Sequence, residues 1–165
     1  MANTEFLVKQ AQKGNHEAFI QLITAYEKIL FNTANKFLKN QQDVADVMQE
    51  TILISYRDIH TLKNPNYFHT WIYRILVNNC KKILEKNKRV SYEEFDIPTN
   101  DSTDKLELAE LISYLSDKYR IPLILYYYND FSINEISQIL ELPTGTIKSR
   151  LHRGRHLLEN KYLNS

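Results

Sequence analysis

Apolar residues recur at helical spacing in eight stretches of this chain, separated by short polar breaks. Thr4–Lys13 is a short helix candidate with Thr4 as its cap and Phe6, Leu7 and Ala11 turned inward. Gly14-Asn15 ends it. His16–Leu38 follows, with Phe19, Leu22, Ile23, Tyr26, Leu30 and Phe37 on one side. After a polar joint at Asn40-Gln41-Gln42, the pattern resumes over Asp43–Arg57. His60–Tyr67 reads as a loop, because Asn64-Pro65 disfavours a helix there, and Asn66 can cap what comes next. Phe68–Arg89 is a long helix with Phe68, Trp71, Ile72, Ile75 and Ile83 at core spacing. Beyond it, residues 90–104 carry no apolar period.

The helical pattern returns at Lys105–Tyr114, with Leu106, Leu108, Leu111 and Ile112. Ser116 can cap Asp117–Tyr128, which contains Pro122 and should bend there. Its Leu123–Tyr128 run could pass for a strand, but the caps and spacing around it are helical. Asn129-Asp130 closes it. In the next helix Ser132 and Glu135 stand at capping-box spacing, and Ile133, Ile136, Ile139 and Leu140 give one apolar face. Glu141-Leu142 leads to Pro143, a good first-turn residue for a last helix that runs to the end of the chain. Ile147, Leu151 and Leu158 of that helix fall within about 40° of one another at 100° per residue. Lys148, Ser149, His152, Arg153 and Arg155 fall opposite, and Arg150 flanks them. Two helices with a tight joint, the second basic on its outer face, make a DNA-binding helix-turn-helix.

The expected fold class is therefore all-α, in two small helical domains joined by a flexible acidic linker. The domains are 1–89 and 105–165, the latter a helix-turn-helix, and the linker is 90–104. Charge sharpens that division. The formal net charge is only +1. Residues 1–89 hold 13 basic against 8 acidic groups, 90–104 hold five acidic and no basic, and 105–165 hold 8 against 7. The Asp43–Arg57 helix is two-sided as well. Val44, Val47, Met48, Thr51 and Ile52 cluster on one side, and Asp43, Asp46, Gln49, Glu50 and Leu53 on the other. A leucine amid acids suits a protein-docking face better than a solvated one.

Three stretches carry a family resemblance. FSINEISQILELPTGTIKSRLHRGRHLL resembles the C-terminal domain of bacterial RNA polymerase sigma factors of the extracytoplasmic-function (ECF) type. Asp43, Asp46, Gln49, Glu50 and Thr51 match the family's polymerase-binding helix, and Phe68, Trp71, Ile72, Ile75 and Asn78 its minus-ten helix. The resemblance covers about residues 5–162. It implies an alternative sigma factor that binds core RNA polymerase and directs promoter-specific initiation. Asp43, Asp46, Gln49, Glu50 and Leu53 would then dock on the beta-prime coiled coil. Asn64, Asn78, Lys81 and Lys82 would meet the minus-ten element of promoter DNA. Lys148, Ser149, Arg150, His152, Arg153 and Arg155 would meet the minus-thirty-five element. The linker would thread through the polymerase. A further implied partner is an anti-sigma factor, which in the family is often membrane-anchored. One departure is that Lys82 and Glu85 reverse the family's usual order of acid and base.

Other functions find little support. No catalytic constellation, glycine-rich phosphate loop or small-molecule site stands out, so neither enzyme activity nor a cofactor is expected. His152 and His156 are four apart but have arginines rather than ligands beside them, so no metal is expected. Phe68 and Trp71 read as core residues rather than base-stacking platforms. Cys80, the single cysteine, reads as an inert buried thiol. No signal peptide or membrane-length apolar run is present, which places the protein in the cytoplasm. The main alternative is a free-standing helix-turn-helix regulator. It leaves the Asp43–Leu53 face without a use. An enzyme carrying a DNA-binding domain lacks a site, and a purely protein-binding adaptor would not need the cationic last helix.

Overall fold

The computed structural model describes residues 3–91 and 108–163. Every regular element among them is helical. The chain separates into two compact units, Met1–Arg89 and Val90–Ser165. The remainder of the acidic stretch expected as a linker lies outside the described residues.

In the first unit, α1 (Thr4–Gln12) packs on α2 (His16–Phe37), and α2 on α3 (Gln41–Asp58). Two single turns of 3-10 helix, Ile59–Thr61 and Pro65–Tyr67, lead into α4 (Phe68–Ser91). Asn15 begins α2 by accepting from the Ala18 amide at 3.1 Å, which satisfies one of the free N–H groups of a helix start. Asn40 does the same for α3 through the Gln42 amide at 2.8 Å, so α3 starts at Gln41 rather than at Asp43. In α1 the cap position belongs to Asn3 rather than Thr4, and Val8 and Ala11 are the buried residues. Phe6 is 57% exposed and not inward, because 200° of helix separates it from Val8.

The segment expected as a loop holds a turn because proline keeps the residue before it out of the helix, while its own fixed φ suits a first turn. Asn64 is extended at φ −118°, ψ 112°, and Pro65 opens the turn. Asn64 caps this turn, its side chain accepting from the Asn66 amide at 3.0 Å.

Helix α4 is central to this unit. Phe68, Ile72, Leu76, Val77 and Cys80 are fully buried, and Tyr73 and Trp71 nearly so. The Phe68 ring meets Tyr26 of α2 edge-on with centroids 5.2 Å apart. Phe68 and Trp71 are thus core groups. Two polar residues also lie inside. Asn79 donates to the Thr51 hydroxyl of α3 at 3.1 Å, and both are at most 5% exposed. Burial of an amide is tolerated only with such a partner. From Lys81 onward α4 is less covered, and Ile83 is only half-buried.

In the second unit, α5 (Leu108–Ser113), α6 (Asp117–Tyr127) and α7 (Ile133–Leu140) all pack on α8 (Thr144–Leu163). Ser116 sits at the α6 cap position without a side-chain cap bond, and α6 runs through Pro122 as a helix containing the whole Leu123–Tyr127 run. Arg120 of α6 is buried and donates to Asp117 at 2.7 Å. Ser132 caps α7 by accepting from the Glu135 amide at 3.1 Å. Glu141 then adopts the left-handed conformation, φ 54°, ψ 45°, and turns the chain between α7 and α8. Pro143 lies just outside α8, where its carbonyl accepts from the Ile147 amide at 3.1 Å.

Helix α8 holds its place by a narrow stripe of Ile147, Leu151 and Gly154. A Cβ built on Gly154 would stand 2.8 Å from Leu123 Cδ1 and 3.4 Å from Tyr119 Cβ. A larger residue there would have to push the fully buried Leu123 side chain aside. Gly154→Val should therefore lower the stability of the second unit by about 1–3 kcal/mol, the usual range for overpacking. Gly145, with open space around it, is the control. Gly145→Ala should raise stability by about 0.5–1 kcal/mol. Thermal unfolding of the two variants checks both, and equal melting temperatures would refute the close-approach account.

Candidate binding faces

The outer face of α3 carries Asp46, Gln49, Glu50 and Leu53, all exposed, with Leu53 at 57%. Asp46 accepts a hydrogen bond from Gln42 at 3.0 Å. Asp43 is different. It is half-buried and accepts from the Asn87 amide of α4 at 3.2 Å, so it is spent partly within the unit. The same face continues to two residues that the sequence analysis did not include, Tyr56 and Arg57. They follow Leu53 by three and four residues, so extending the helical period would have found them. Tyr56 shares a 2.7 Å hydrogen bond with His16 Nδ1 and packs edge-on against Phe19. Arg57 pairs with its neighbour Asp58 at 2.8 Å. That hydrogen bond, with the guanidinium charge, holds the Asp58 carboxyl below its ordinary value. The face is therefore acidic at its start, apolar at Leu53 and charge-paired at its end.

A second group lies on α4 and the turn before it. Asn64, Asn78 and Lys82 are exposed, while Lys81 is half-buried and already engaged. Asn78 lies ten residues beyond Phe68, about 15 Å along the helix. Asn78, Lys81 and Lys82, three and four residues apart, make a polar strip along α4, and Asn64 stands in the turn before it. Tyr67, 55% exposed at the end of its turn, adds an aromatic ring beside Asn64.

The third face is that of α8. Lys148, Ser149, His152, Arg153 and Arg155 are exposed, opposite the buried Ile147 and Leu151. Ser149 commits its hydroxyl proton to the Thr146 carbonyl at 3.0 Å, which leaves it an acceptor for base-edge donors. Arg150 is half-buried, its Nε inside the unit and without a hydrogen-bond partner. Arg155 donates to the Tyr127 hydroxyl of α6 at 3.1 Å, which draws its guanidinium toward the edge of the face. Lys148, His152 and Arg153 remain the long side chains pointing outward with no such tie. His152 and His156 are both exposed, and no group of three His, Cys, Asp or Glu comes together among the described residues. Among them, too, no helix is long and apolar enough to cross a membrane.

Comparisons with known proteins bear on these faces. Residues 22–90 match the family description Sigma-70 region 2, and residues 105–158 match Sigma-70, region 4. ECF RNA polymerase sigma factor SigW of Bacillus subtilis is 29% identical, over 93% of this chain and 94% of that protein. ECF RNA polymerase sigma-E factor of Haemophilus influenzae is 27% identical, over 94% and 93%. Among solved structures, CnrH in complex with the cytosolic domain of CnrY shares the fold at a TM-score of 0.74, with 23% identity and 95% of each chain covered. The sigma factor RpoE in complex with the anti-sigma factor NepR from Bartonella quintana does so at 0.70, with 21% identity, 86% of this chain and 94% of that one. With regions 2 and 4 in order on one chain, and relatives aligned along nearly all of it, the chain belongs to the ECF RNA polymerase sigma factors.

Proposed function

We propose that this protein is an alternative sigma factor, which binds core RNA polymerase and directs transcription from its own set of promoters. The observation that carries this is the presence of two unlike exposed faces on separate units of one chain. The α3 face, with Asp46, Gln49, Glu50 and Leu53, suits a basic protein partner with an apolar contact, and we assign it to the beta-prime coiled coil. The α8 face suits duplex DNA. We assign Lys148, Ser149, His152 and Arg153 to base edges and nearby phosphates of the minus-thirty-five element, and Arg150 and Arg155 to phosphate. The strip of Asn64, Asn78, Lys81 and Lys82 is assigned to the opened minus-ten strand. On this reading residues 1–89 and 105–165 are the two working domains, joined through 90–104. The protein acts in the cytoplasm as an initiation factor rather than a catalyst. An anti-sigma factor is proposed as a third partner. A free-standing DNA-binding regulator would have no use for the α3 face.

The direct test adds the purified protein to core polymerase and a random promoter library. Transcripts should start at fixed distances from a shared two-part motif. Absence of any sigma-dependent start site would overturn the proposal.

Two sets of variants examine its parts. Asp46→Arg with Glu50→Arg should reduce core-polymerase binding more than a hundredfold, since charge reversal across an interface costs several kcal/mol. The melting temperature should hold, because both side chains are exposed. Unchanged co-purification with core polymerase would remove α3 as the docking element.

Arg153→Ala should relax preference at one or two base pairs of the upstream motif, because a bidentate arginine–guanine pair discriminates by about 1–3 kcal/mol. Arg155→Ala should weaken binding evenly across sequences and shallow the salt dependence by about one unit of slope. Library selection and salt titration separate the two outcomes. An unaltered motif with Arg153→Ala would mean that α8 presents another side to DNA.

A further inference from the structure

Helix α1 has no part in the three faces, yet its last residue reaches the segment that leads into one of them. The Gln12 side-chain amide donates to the Ile59 carbonyl at 3.0 Å and to the Leu62 carbonyl at 2.7 Å. A primary amide has two N–H groups, so both bonds form together. The two carbonyls bracket the first short turn after α3. That turn is pinned in other ways as well. Ile59 and Leu62 are buried, and the Leu62 amide returns to the Ile59 carbonyl at 3.2 Å. Helix α1 packs against both this turn and the next. On the far side of the segment Phe68 is fully buried against Tyr26 and Trp71. Between these fixed ends lie Lys63, Asn64, Asn66 and Tyr67, all exposed, and Asn64 folds its own turn onto the Asn66 amide.

We infer that Gln12 is a positioning residue for the Lys63–Tyr67 loop, fixing where Asn64 and its neighbours stand when the promoter strand opens. This rests on the assignment of that loop and α4 to the opened strand. A turn that merely joined α3 to α4 could leave its carbonyls to water. Here a side chain 47 and 50 residues distant in sequence takes both. That ties the loop to the α1–α2 pair and not only to its own flanks. A loop held in advance loses less freedom when it takes a ligand, which is where such a clamp acts.

The test uses the full chain, assembled with core polymerase, on a promoter recovered from the library above. Gln12→Glu keeps the shape but has no N–H to donate, and it sets a carboxylate against two carbonyl oxygens. Gln12→Lys restores N–H donors, one bond further out on a flexible stem. Gln12→Glu should bind polymerase and closed promoter as the parent does. Its strand opening, followed by permanganate reactivity of unpaired thymines, should slow about tenfold. Base preference in the minus-ten part of a reselected library should flatten. Gln12→Lys should recover both. Gln12→Ala covers the case in which the half-buried carboxylate unfolds the unit.

Opening at the parent rate with unaltered minus-ten preference, in Gln12→Glu or in Gln12→Ala, overturns the inference. So does slowing that is the same on matched and mismatched minus-ten sequences. Asn78→Ala with Lys82→Ala separates the two layers. If that pair slows opening while the Gln12 variants do not, the clamp alone is wrong. If none of them slows opening, the assignment of the strip to the opened strand fails with it.

Discussion

How closely α8 approaches α6 sets everything that the second unit can present. A helix that must leave most of its circumference to a partner can bury only a narrow line of residues. In α8 that line is Ile147, Leu151 and Gly154. A third large side chain in place of the glycine would seem to bury more surface, but it would hold the helices apart and open a gap around the first two. Packed interiors lose contacts quickly as such gaps open. The glycine removes a side chain so that the backbone itself becomes the packing surface against Leu123 and Tyr119. The outward side is then free to be wholly polar, and five of its side chains stand exposed at helical spacing without disturbing the fold.

The first unit solves a related problem differently. Helices α3 and α4 share an interface that contains a polar pair, Thr51 and Asn79. An apolar pair of similar size would stabilise as well or better. A buried amide bonded to one hydroxyl, however, is satisfied in only one register of α4 on α3, and sliding by a residue would leave it orphaned. Polar pairs of this kind fix alignment more than they add stability. If, as proposed, α3 meets polymerase and α4 meets DNA, that alignment is the property to preserve. Asp43 fits the same picture, since its bond to Asn87 ties the start of α3 to the far part of α4.

Much of this could be read from the chain. The helices, their order and the break at Gly14 all follow from periodicity and caps. What escaped reading has a common cause, which is that it depends on where a second element lies. Phe6 is apolar and at plausible spacing, but α1 has only nine residues, and the position of α2 decides that Val8 faces it instead. Asn79 sits in a stretch that reads as polar surface, and only Thr51 across the interface makes it a core residue. Gly154 reads as a weak point in a helix until Leu123 is seen against it. Tyr56 and Arg57 were within reach of the sequence, since they merely continue the α3 period, but their neighbours His16 and Asp58 lend them roles that spacing does not reveal.

The two units together explain how such small faces can suffice. Each offers about half a dozen side chains, and exposed charges of this kind are individually weak in salt water. A single helix of this size binding DNA by itself would be easily displaced at physiological ionic strength, because phosphate contacts trade against counterions. Once one face is engaged, the other no longer searches the whole volume. It acts at an effective concentration set by the chain that joins them, and the second contact becomes intramolecular. Weak faces are then an advantage. Neither unit holds a wrong site alone, and only a target that presents both elements at the right spacing recovers the full affinity.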